Sequence, residues 1–349
     1  MRHFPIINVD PGTPYKMGFH YGRQAADQIR NGLADYRTLF AQTSTMTWEE
    51  IGSYALSYTP VVKAADPDLT DEVRGIADGA GVSFADIMIL NTRYEITKFP
   101  KPHECTSYAL LPEATKDGIA YVGQNWDYRV GILDHIVILH YTMPDGTRIV
   151  GAAEAGQVIR NGFNSHGIGL CANNLQSKGD NRGTALPVTF LRRKVLQSRS
   201  FEEAKKLLLE TKRTVSNNFM LGSAEGRALD FETSPLGTDL IEPINGILTH
   251  ANHFVVDPAK EALERSPRGD RLYELLAQKR GSIDVPWIIR CLSDHENYPK
   301  AICRHPADTS LPMARRSCTV AGIIYNLSEG VAHICAGASC ENEFVAVPL

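Results

Sequence analysis

Residues 103–128 have the sequence HECTSYALLPEATKDGIAYVGQNWDY, and the prediction of the fold starts from this stretch. Its two apolar segments, TSYALL and GIAYVGQN, have the composition of strands, and the Asp117-Gly118 pair at their junction is typical of a hairpin turn. A hairpin would place residues 124–127 (QNWD), at the end of the second strand, close to Cys105 at the start of the first. The sequence therefore predicts a thiol beside amides and a carboxylate, which are parts of a nucleophilic site.

The residues before this hairpin are predicted to be mostly helical. Thr13 is the expected N-cap, and Pro14 the first residue, of a helix that extends to about Leu39. Helical periodicity continues through residues 47–63 and 68–81, and Ser83 has the position of an N-cap for a further helix.

The residues after the hairpin alternate between strands and helices. Strand-like segments such as HIVILHYTM and RIVGAAEAG precede two predicted helices over residues 184–197 and 200–212. Ser200 is the expected N-cap of the second helix and Glu203 its capping-box partner. More strands, a helical region over residues 263–293 and three final strands complete the chain. Because turn-linked strands favour antiparallel sheets, which two groups of helices could cover, we expect one α+β domain over residues 1–349.

The composition is that of an ordinary globular protein, with 43% hydrophobic residues, 22% charged residues and a formal net charge of -4. No basic excess indicates a nucleic-acid partner, and no Lys/Arg block indicates a membrane surface. No apolar run has the length of a signal peptide or of a membrane span. We therefore expect a soluble, cytoplasmic protein.

Neither disulfides nor a metal site is expected from the cysteines and histidines. The chain has seven cysteines, an odd number, and is too large to need a disulfide framework. No CxxC pair occurs, and Cys335 and Cys340 have no second ligand pair at a zinc-site spacing. His250 and His253 are three residues apart near a predicted strand, so they should point to opposite faces and share no metal.

Other interpretations of Cys105 were weighed against a nucleophile. It could be a buried strand residue, which is the commonest role of a cysteine. A Ser-His-Asp site lacks a GxSxG motif, and a papain-like Cys–His pair lacks the CGSCW-type signature. The histidines available for such a pair are His166, His250 and His295.

Two further motifs have simpler structural interpretations. GIADGAG at residues 75–81 contains the glycines of a phosphate loop, but it lies within a predicted helix that no strand precedes. Asp294-His295-Glu296 could suggest a metal site or a triad, but the favoured interpretation is a loop after the helix that ends near Leu292, with a structural or substrate-side role left open. We therefore base no activity on either motif.

The segments CTSYALL and GQNWDYR resemble the amino-terminal-nucleophile (Ntn) hydrolases of the acyl-coenzyme A:6-aminopenicillanic acid acyltransferase family, also called isopenicillin N acyltransferase-like. Further segments resemble the family in the same order and span nearly the whole chain: GTPYKMGFHYG, EVRGIADGAGVSFADIMILNTRYEI, GFNSHGIGL, THANHF and DHENYPKAICRH. The resemblance implies a four-layer αββα sandwich with two antiparallel sheets. It also implies self-cleavage between Glu104 and Cys105, which divides the chain into a helical segment (1–104) and a segment that begins at the nucleophile (105–349).

By the same resemblance, the Cys105 thiol is the nucleophile and its freed α-amino group is the base. Asp127 would orient the nucleophile or the new amino terminus, and Asn252 would donate a hydrogen bond to the oxyanion. Arg316 would supply positive charge near the reacting carbonyl, and Arg315 beside it is an equal candidate for that role. The expected activity is that of a cysteine amidohydrolase or N-acyltransferase acting on a small N-acylated compound.

The resemblance also bears on cofactors and partners. No cofactor is needed, although acyl-coenzyme A could be a co-substrate, and the two cleaved chains should stay associated, with a homo-oligomer left open. The family pattern has glycine before the nucleophile, whereas this chain has Glu104, which tolerates backbone strain less well. Self-cleavage could therefore be slow or could use the carboxylate. The alternative function is a catalytically inert binding or scaffold protein with the same fold that stays uncleaved.

Overall fold

The computed structural model describes residues 2–97, 105–311 and 316–349, which form two β-sheets and two groups of helices. The strands are β1 (Ile6–Val9), β2 (Thr106–Leu110), β3 (Tyr121–Arg129), β4 (Ile136–Thr142), β5 (Arg148–Glu154), β6 (Gly162–Asn164), β7 (Ile168–Asn174), β8 (Asn217–Ser223), β9 (Arg227–Ser234), β10 (Gly237–Ile241), β11 (Ile247–His250), β12 (Ser317–Asn326), β13 (Val331–Ala336) and β14 (Phe344–Pro348). The helices are α1 (Pro14–Gln24), α2 (Ala26–Thr43), α3 (Trp48–Leu56), α4 (Thr59–Ala65), α5 (Pro67–Ala80), α6 (Phe84–Asn91), α7 (Arg93–Thr97), α8 (Val188–Leu196), α9 (Phe201–Glu210), α10 (Arg268–Ala277) and α11 (Val285–Leu292).

The two sheets have different strand orders. The first sheet runs β1-β4-β5-β6-β7-β8-β9-β10, and the second runs β11-β2-β3-β12-β13-β14. Neighbouring strands are antiparallel, as predicted, with one exception: β1 pairs in parallel with β4 at the edge of the first sheet. Asp145-Gly146 lies in the turn between β4 and β5, as expected, with a Gly146 φ of 86°. Asp117-Gly118 lies instead in a longer connection between β2 and β3, at residues 111–120, which also contains a short 3-10 helix, Pro112–Ala114; the φ of Gly118 is 70°.

Three apolar clusters define the layers of the molecule. One joins the helices of α1–α9 to the first sheet, through residues such as Ile76 and Leu139. A second lies between the two sheets and includes Trp126 and Ile138. The third joins α10 and α11 to the other face of the second sheet, where Leu272 packs with Tyr108. Helices, sheet, sheet and helices therefore follow in that order, which confirms the predicted α+β fold with an αββα sandwich.

The amino-terminal helices begin where the capping residues predict. Thr13 Oγ1 accepts a hydrogen bond from Lys16 N at 3.4 Å, and Ser83 forms a reciprocal capping box with Asp86. The single helix predicted to Leu39 is instead two helices, α1 and α2, with a break at Ala25, where the backbone leaves helical geometry.

Close packing of α1 on α5 depends on glycines in both helices. A Cβ atom on Gly18 would lie 1.9 Å from the Glu72 carbonyl oxygen, and one on Gly75 would lie 2.1 Å from the Tyr15 carbonyl oxygen. No side chain fits at these distances, so glycine lets the two backbones touch. The glycines of the 75–81 motif therefore lie in a packed helix and not in a phosphate loop, as the sequence indicated.

The later helices differ from prediction in detail. The helix predicted over residues 184–197 begins only at Val188, after Pro187. Ser200 caps α9, but the Glu203 carboxylate accepts from Arg199 N instead of from the N-cap residue, so the predicted capping box is incomplete. The region 263–293 contains two helices, α10 and α11, instead of one.

None of the helices in the described ranges combines the length and the apolar character needed to cross a membrane. Helices α1–α7 all precede Cys105, and the predicted cleavage site falls at the edge of residues 98–104, which lie outside the described part of the chain.

Candidate active site

The β2–β3 hairpin places the start of one strand beside the end of the other, as predicted. Thr106 is in register with Asn125, so Cys105, one residue earlier, lies next to Trp126 and Asp127. The Cys105 side chain is 1% exposed and belongs to the apolar cluster between the sheets. The thiol is therefore enclosed between the two sheets.

The Cys105 thiol has a backbone carbonyl and a guanidinium as polar neighbours. Its Sγ donates to the Asp127 carbonyl oxygen at 3.7 Å, and Arg160 Nη2 donates to Sγ at 3.8 Å. The Arg160 guanidinium stacks on the Trp126 ring, 4.2 Å from its centroid, and also donates to the Tyr94 hydroxyl. Burial raises the pKa of the Cys105 thiol, Arg160 opposes that shift, and the Asp127 carboxylate adds to it.

Arg268 connects Asn252 to Cys105 and to Thr106 at the start of β2. This arginine is buried at the start of α10, where its Nη2 donates to Asn252 Oδ1 at 2.7 Å and to the Cys105 carbonyl oxygen at 3.4 Å. Its Nε donates to Thr106 Oγ1 at 3.0 Å. A guanidinium has no acceptor, so it fixes the orientation of the Asn252 amide, with the oxygen toward Arg268. The Asn252 Nδ2 then donates to Asn174 O at 2.8 Å and keeps a second N–H.

Asp127 is held by the neighbouring strand β12. Thr319 is in register with Asp127 and donates from Oγ1 to Asp127 Oδ1 at 2.7 Å. The register shifts between Thr319 and Ala321, which marks a bulge in β12 at this point. Thr319 Oγ1 in turn accepts from Arg304 N at 2.8 Å. The Thr319 hydroxyl therefore positions the Asp127 carboxylate, and the Arg304 backbone N–H positions that hydroxyl.

Arg316 is the one predicted site residue whose described side-chain contacts lie elsewhere. Its guanidinium donates to the carbonyl oxygens of Leu311, at 2.7 Å, and Thr309. The structure therefore brings Cys105, Asp127 and Asn252 together, while the described contacts of Arg316 are with its own loop. Its alternative, Arg315, and the cleavage-site residue Glu104 both lie outside the described residues.

The histidines weighed as catalytic partners are engaged elsewhere. In the described part of the chain, His250 Nε2 contacts Glu232 Oε1 at 2.8 Å, and His166 Nε2 contacts Thr147 Oγ1 at 3.1 Å. The expectation that His250 and His253 point to opposite faces is wrong: their rings are nearly parallel, with centroids 6.3 Å apart. His253 lies beyond the end of β11, so strand alternation does not apply to it.

A surface cavity of about 380 Å³ lies apart from these residues. It is formed by the β6–β7 and β12–β13 turns and the carboxyl terminus, and includes Arg148, Asn164 and Leu349. None of the predicted site residues lines it, so its position gives no reason to move the candidate site away from Cys105.

Comparison with known proteins agrees with the sequence resemblance. The family model for acyl-coenzyme A:6-aminopenicillanic acid acyl-transferase matches residues 114–340, and the chain belongs to this family. The chain is also 29% identical over 304 residues to the acyl-coenzyme A:6-aminopenicillanic-acid-acyltransferase 40 kDa form of Emericella nidulans, an alignment covering 84% of this chain and 83% of that one.

Similar solved structures include hydrolases of bacterial origin. A mutant conjugated bile acid hydrolase from Clostridium perfringens has a TM-score of 0.49 and 17% identity, covering 70% of this chain and 92% of that chain. Penicillin V acylase from Agrobacterium tumefaciens has a TM-score of 0.48 and 12% identity, covering 70% of this chain and 86% of that chain.

Sequence reasoning missed Arg160 and Arg268, two arginines that contact Cys105. Arg160 lies in the loop between β5 and β6, where no local pattern marks it. Arg268 had one usable signal, because it occupies the first turn of a helix, where the helix dipole disfavours a cation. A cation in that position suggests a tertiary partner, and the structure supplies three acceptors for it.

Proposed function

We propose that this protein is a cysteine Ntn hydrolase or acyltransferase that cuts its own chain between Glu104 and Cys105 and then moves the acyl group of a small N-acylated amide. The observation that carries the proposal is the convergence of Cys105, Asp127 and Asn252 at one end of the β2–β3 hairpin. Membership of an acyl-transferase family supports the reaction class.

The proposed reaction needs only a thiol and an amine. Cleavage before Cys105 converts its backbone nitrogen into a free α-amino group next to the thiol. Such a group has a pKa of about 7.7–8.0 and a thiol about 8.5, so proton transfer between them is nearly balanced at neutral pH. The Arg160 guanidinium beside Sγ favours the thiolate.

The thiolate would attack the carbonyl carbon of an amide or thioester. The carbon–nitrogen or carbon–sulfur bond then breaks, the leaving amine or thiol takes the proton held by the α-amino group, and the acyl group remains on Sγ. Attack by water releases a carboxylic acid, and attack by an amine forms a new amide. In either case Cys105 is regenerated, and no cofactor takes part.

We propose that Asn252 donates a hydrogen bond to the oxyanion. Arg268 holds its amide oxygen and one N–H of Nδ2 donates to Asn174 O, so the second N–H is the proposed oxyanion donor. An oxyanion donor of this kind contributes about 3–4 kcal/mol to lowering the barrier. We propose that Asp127, held by Thr319, orients the new amino terminus, and that Arg316 remains the candidate for contact with the substrate carbonyl.

The substrate class follows from family membership. We propose an N-acyl amide as acyl donor or product, with acyl-coenzyme A as a second donor, since the similar Emericella nidulans protein carries both acyl-coenzyme A and 6-aminopenicillanic acid in its name. The two chains produced by cleavage would remain associated, because helices α1–α6 and the first sheet share one apolar cluster.

Intact-mass measurement and amino-terminal sequencing of the full-length protein test the maturation step. We expect two fragments, the larger beginning Cys-Thr-Ser. Cys105→Ala should stay uncleaved and inactive. Cys171→Ala is the matched control, because Cys171 is also buried between the sheets, and it should be cleaved and active.

A substrate panel then separates hydrolysis from transfer. N-acyl amino acids, simple amides and thioesters including acyl-coenzyme A are supplied with and without an acceptor amine, and acid release is compared with amide formation. Turnover that survives in Cys105→Ala contradicts the proposed mechanism. A wild-type chain that stays uncut and resists a thiol-reactive acyl analogue supports the inert binding protein instead.

A further inference from the structure

Four metal-ligating side chains meet on the side of the second sheet that faces α10 and α11. They come from three places in the sequence: His295 follows α11, Cys303 and His305 precede β12, and Cys340 follows β13. Their ligand atoms all lie within 4.8 Å of one another. The cluster contains none of the residues to which the proposed reaction assigns a role.

The distances within the cluster are close to those of a tetrahedral metal site. His305 Nε2 lies 3.1 Å from His295 Nε2 and 3.2 Å from Cys340 Sγ. Cys303 Sγ lies 3.9 Å from the same nitrogen. Zinc bonds of about 2.0–2.1 Å to nitrogen and 2.3 Å to sulfur place tetrahedral ligand atoms about 3.3–3.8 Å apart. Two of the observed separations lie just below that range and the third lies just above it, so small shifts of the side chains would place all three atoms around one ion.

Hydrogen bonding among the four groups does not explain this arrangement. An imidazole nitrogen carries either one proton or one lone pair, directed in the plane of the ring, so it forms one good hydrogen bond. His305 Nε2 instead faces a second imidazole nitrogen and two sulfur atoms at once. A cation at the centre would satisfy all four groups together.

The other nitrogen of His305 lies near a carboxylate, the kind of partner that a metal-bound histidine usually has. Its Nδ1 lies 3.5 Å from Glu341 Oε1, the carboxylate of the residue after Cys340. A ligating histidine usually donates its second N–H to a carboxylate or carbonyl oxygen, which fixes the tautomer and directs the free nitrogen at the metal. Glu341 would place the His305 proton on Nδ1 and leave Nε2 as the ligand.

We propose that His295, Cys303, His305 and Cys340 form a structural Zn²⁺ site. Two neutral imidazoles and two thiolates are a donor set that zinc prefers, and binding releases the two thiol protons to solvent. Four protein ligands complete a tetrahedral shell, so the site leaves no open position for substrate or water and is not catalytic.

The site would stabilise the segments that pack behind the β2–β3 hairpin. Asn125 Nδ2 donates to Leu292 O at 2.8 Å and to Ile302 O at 2.9 Å, and Ser339 Oγ donates to Asn125 Oδ1 at 2.8 Å. These three partners flank the metal ligands, so one side chain of β3 already joins the segments that zinc would bind together.

A second connection leads from the proposed site to Asp127. Arg304 lies between the ligands Cys303 and His305, and its backbone N–H donates to Thr319 Oγ1, which donates to Asp127. Two hydrogen bonds therefore connect the zinc-binding segment to the Asp127 carboxylate, and loss of zinc should make the position of that carboxylate less fixed. This inference stands whether or not the proposed activity is correct, because it rests on the cluster alone.

Metal analysis of tag-free, full-length protein tests the proposal. Protein prepared with a phosphine reductant is incubated with excess Zn²⁺, passed through a desalting column and analysed by mass spectrometry for metals. We expect one zinc per chain. In Cys340→Ser and His305→Asn most of the zinc should be lost on desalting, because each variant lacks one of the four ligands, and even loss of a supporting partner weakens metal affinity by about 10–100-fold. His333→Asn, at a partly exposed histidine of β13 outside the cluster, should retain full zinc content.

Cobalt substitution reports the geometry directly and does not depend on the variants folding. Co²⁺ in the wild-type site should give thiolate-to-metal charge-transfer bands and the intense visible bands of tetrahedral coordination. Wild-type protein that retains no zinc, equal zinc in Cys340→Ser and wild type, or an octahedral cobalt spectrum each overturns the proposal. So does a Cys303–Cys340 disulfide in peptide maps of protein kept in reductant.

Discussion

Replacing Arg268 with lysine should lower kcat much more than it raises KM. Arg268 holds three oxygen atoms at once, those of Thr106 at 3.0 Å, Cys105 at 3.4 Å and Asn252 at 2.7 Å. Lysine keeps the positive charge but is a single point donor that cannot reproduce the planar fork. The bond to Asn252 is charge-assisted, and such a bond contributes about 2 kcal/mol. If that energy is lost only in the transition state, kcat falls by about 30-fold.

Steady-state kinetics on matured protein, normalised to the cleaved fraction, measure this effect. Arg265→Lys is the matched control, because Arg265 lies near the start of the same helix and forms an exposed ion pair with Asp270 at 2.8 Å. That variant should have wild-type kcat, since an exposed pair contributes little. Thermal unfolding of each variant separates loss of folded protein from loss of turnover.

A double-mutant cycle shows whether Arg268 acts through Asn252. Asn252→Ala should cost about 3–4 kcal/mol of barrier, as for other oxyanion donors. In that background Arg268→Lys should have little further effect on kcat, because the amide it positions is gone. Full additivity of the two effects, or a kcat within about twofold of wild type in Arg268→Lys, would refute the proposed role.

Three more perturbations test the electrostatics and the packing. Arg160→Gln removes the guanidinium 3.8 Å from Cys105 Sγ, so the acidic limb of the kcat/KM profile should move to higher pH; an unchanged limb contradicts the thiolate role. Burial raises the pKa of Glu95 to about 7, so the folded state binds its proton more tightly and the stability this proton contributes is lost as the pH rises from about 4.3 to 7. Glu95→Gln lacks this carboxyl group, so its free energy of unfolding relative to that of wild type should be about 3 kcal/mol more favourable to the folded state at pH 8 than at pH 5. Urea unfolding at the two pH values measures this difference, and an equal pH dependence in the two proteins would exclude the effect. Gly18→Ala places a Cβ atom 1.9 Å from a backbone carbonyl oxygen of α5 and should cost about 3 kcal/mol or more, whereas Gly52→Ala, with its nearest neighbour at 3.6 Å, should not destabilise.

Most of the architecture could be predicted because it depends on local chemistry. The Asp117-Gly118 turn and the flanking apolar residues predicted the hairpin, and the hairpin alone placed Asp127 beside Cys105. The same reasoning correctly located the caps at Thr13 and Ser83. It was less accurate at the interruption in the first long helix, because the break at Ala25 has no glycine or proline to mark it.

The electrostatic environment of the thiol was not predictable in the same way. Arg160 is 55 residues from Cys105 in sequence and Arg268 is 163 residues away, so only the folded chain shows that they are neighbours. The resemblance named Arg316 as the nearby cation, but the described contacts of that side chain are with the carbonyl oxygens of its own loop.

Sequence by itself determined most of the strands and helices, apart from the interruptions noted above, and the proximity of residues 124–127 to Cys105, because each depends on residues close together in the chain. The assignment of Cys105 as the candidate nucleophile came from the family resemblance. Tertiary structure alone decided which guanidiniums surround Cys105. It also brought His295, Cys303, His305 and Cys340 together, although their spacing of eight, two and 35 residues matches no metal motif. The physical reason is that side chains from distant segments of the chain come close to one another only when the layers pack. Metal coordination and strong interactions between charges both require such short distances.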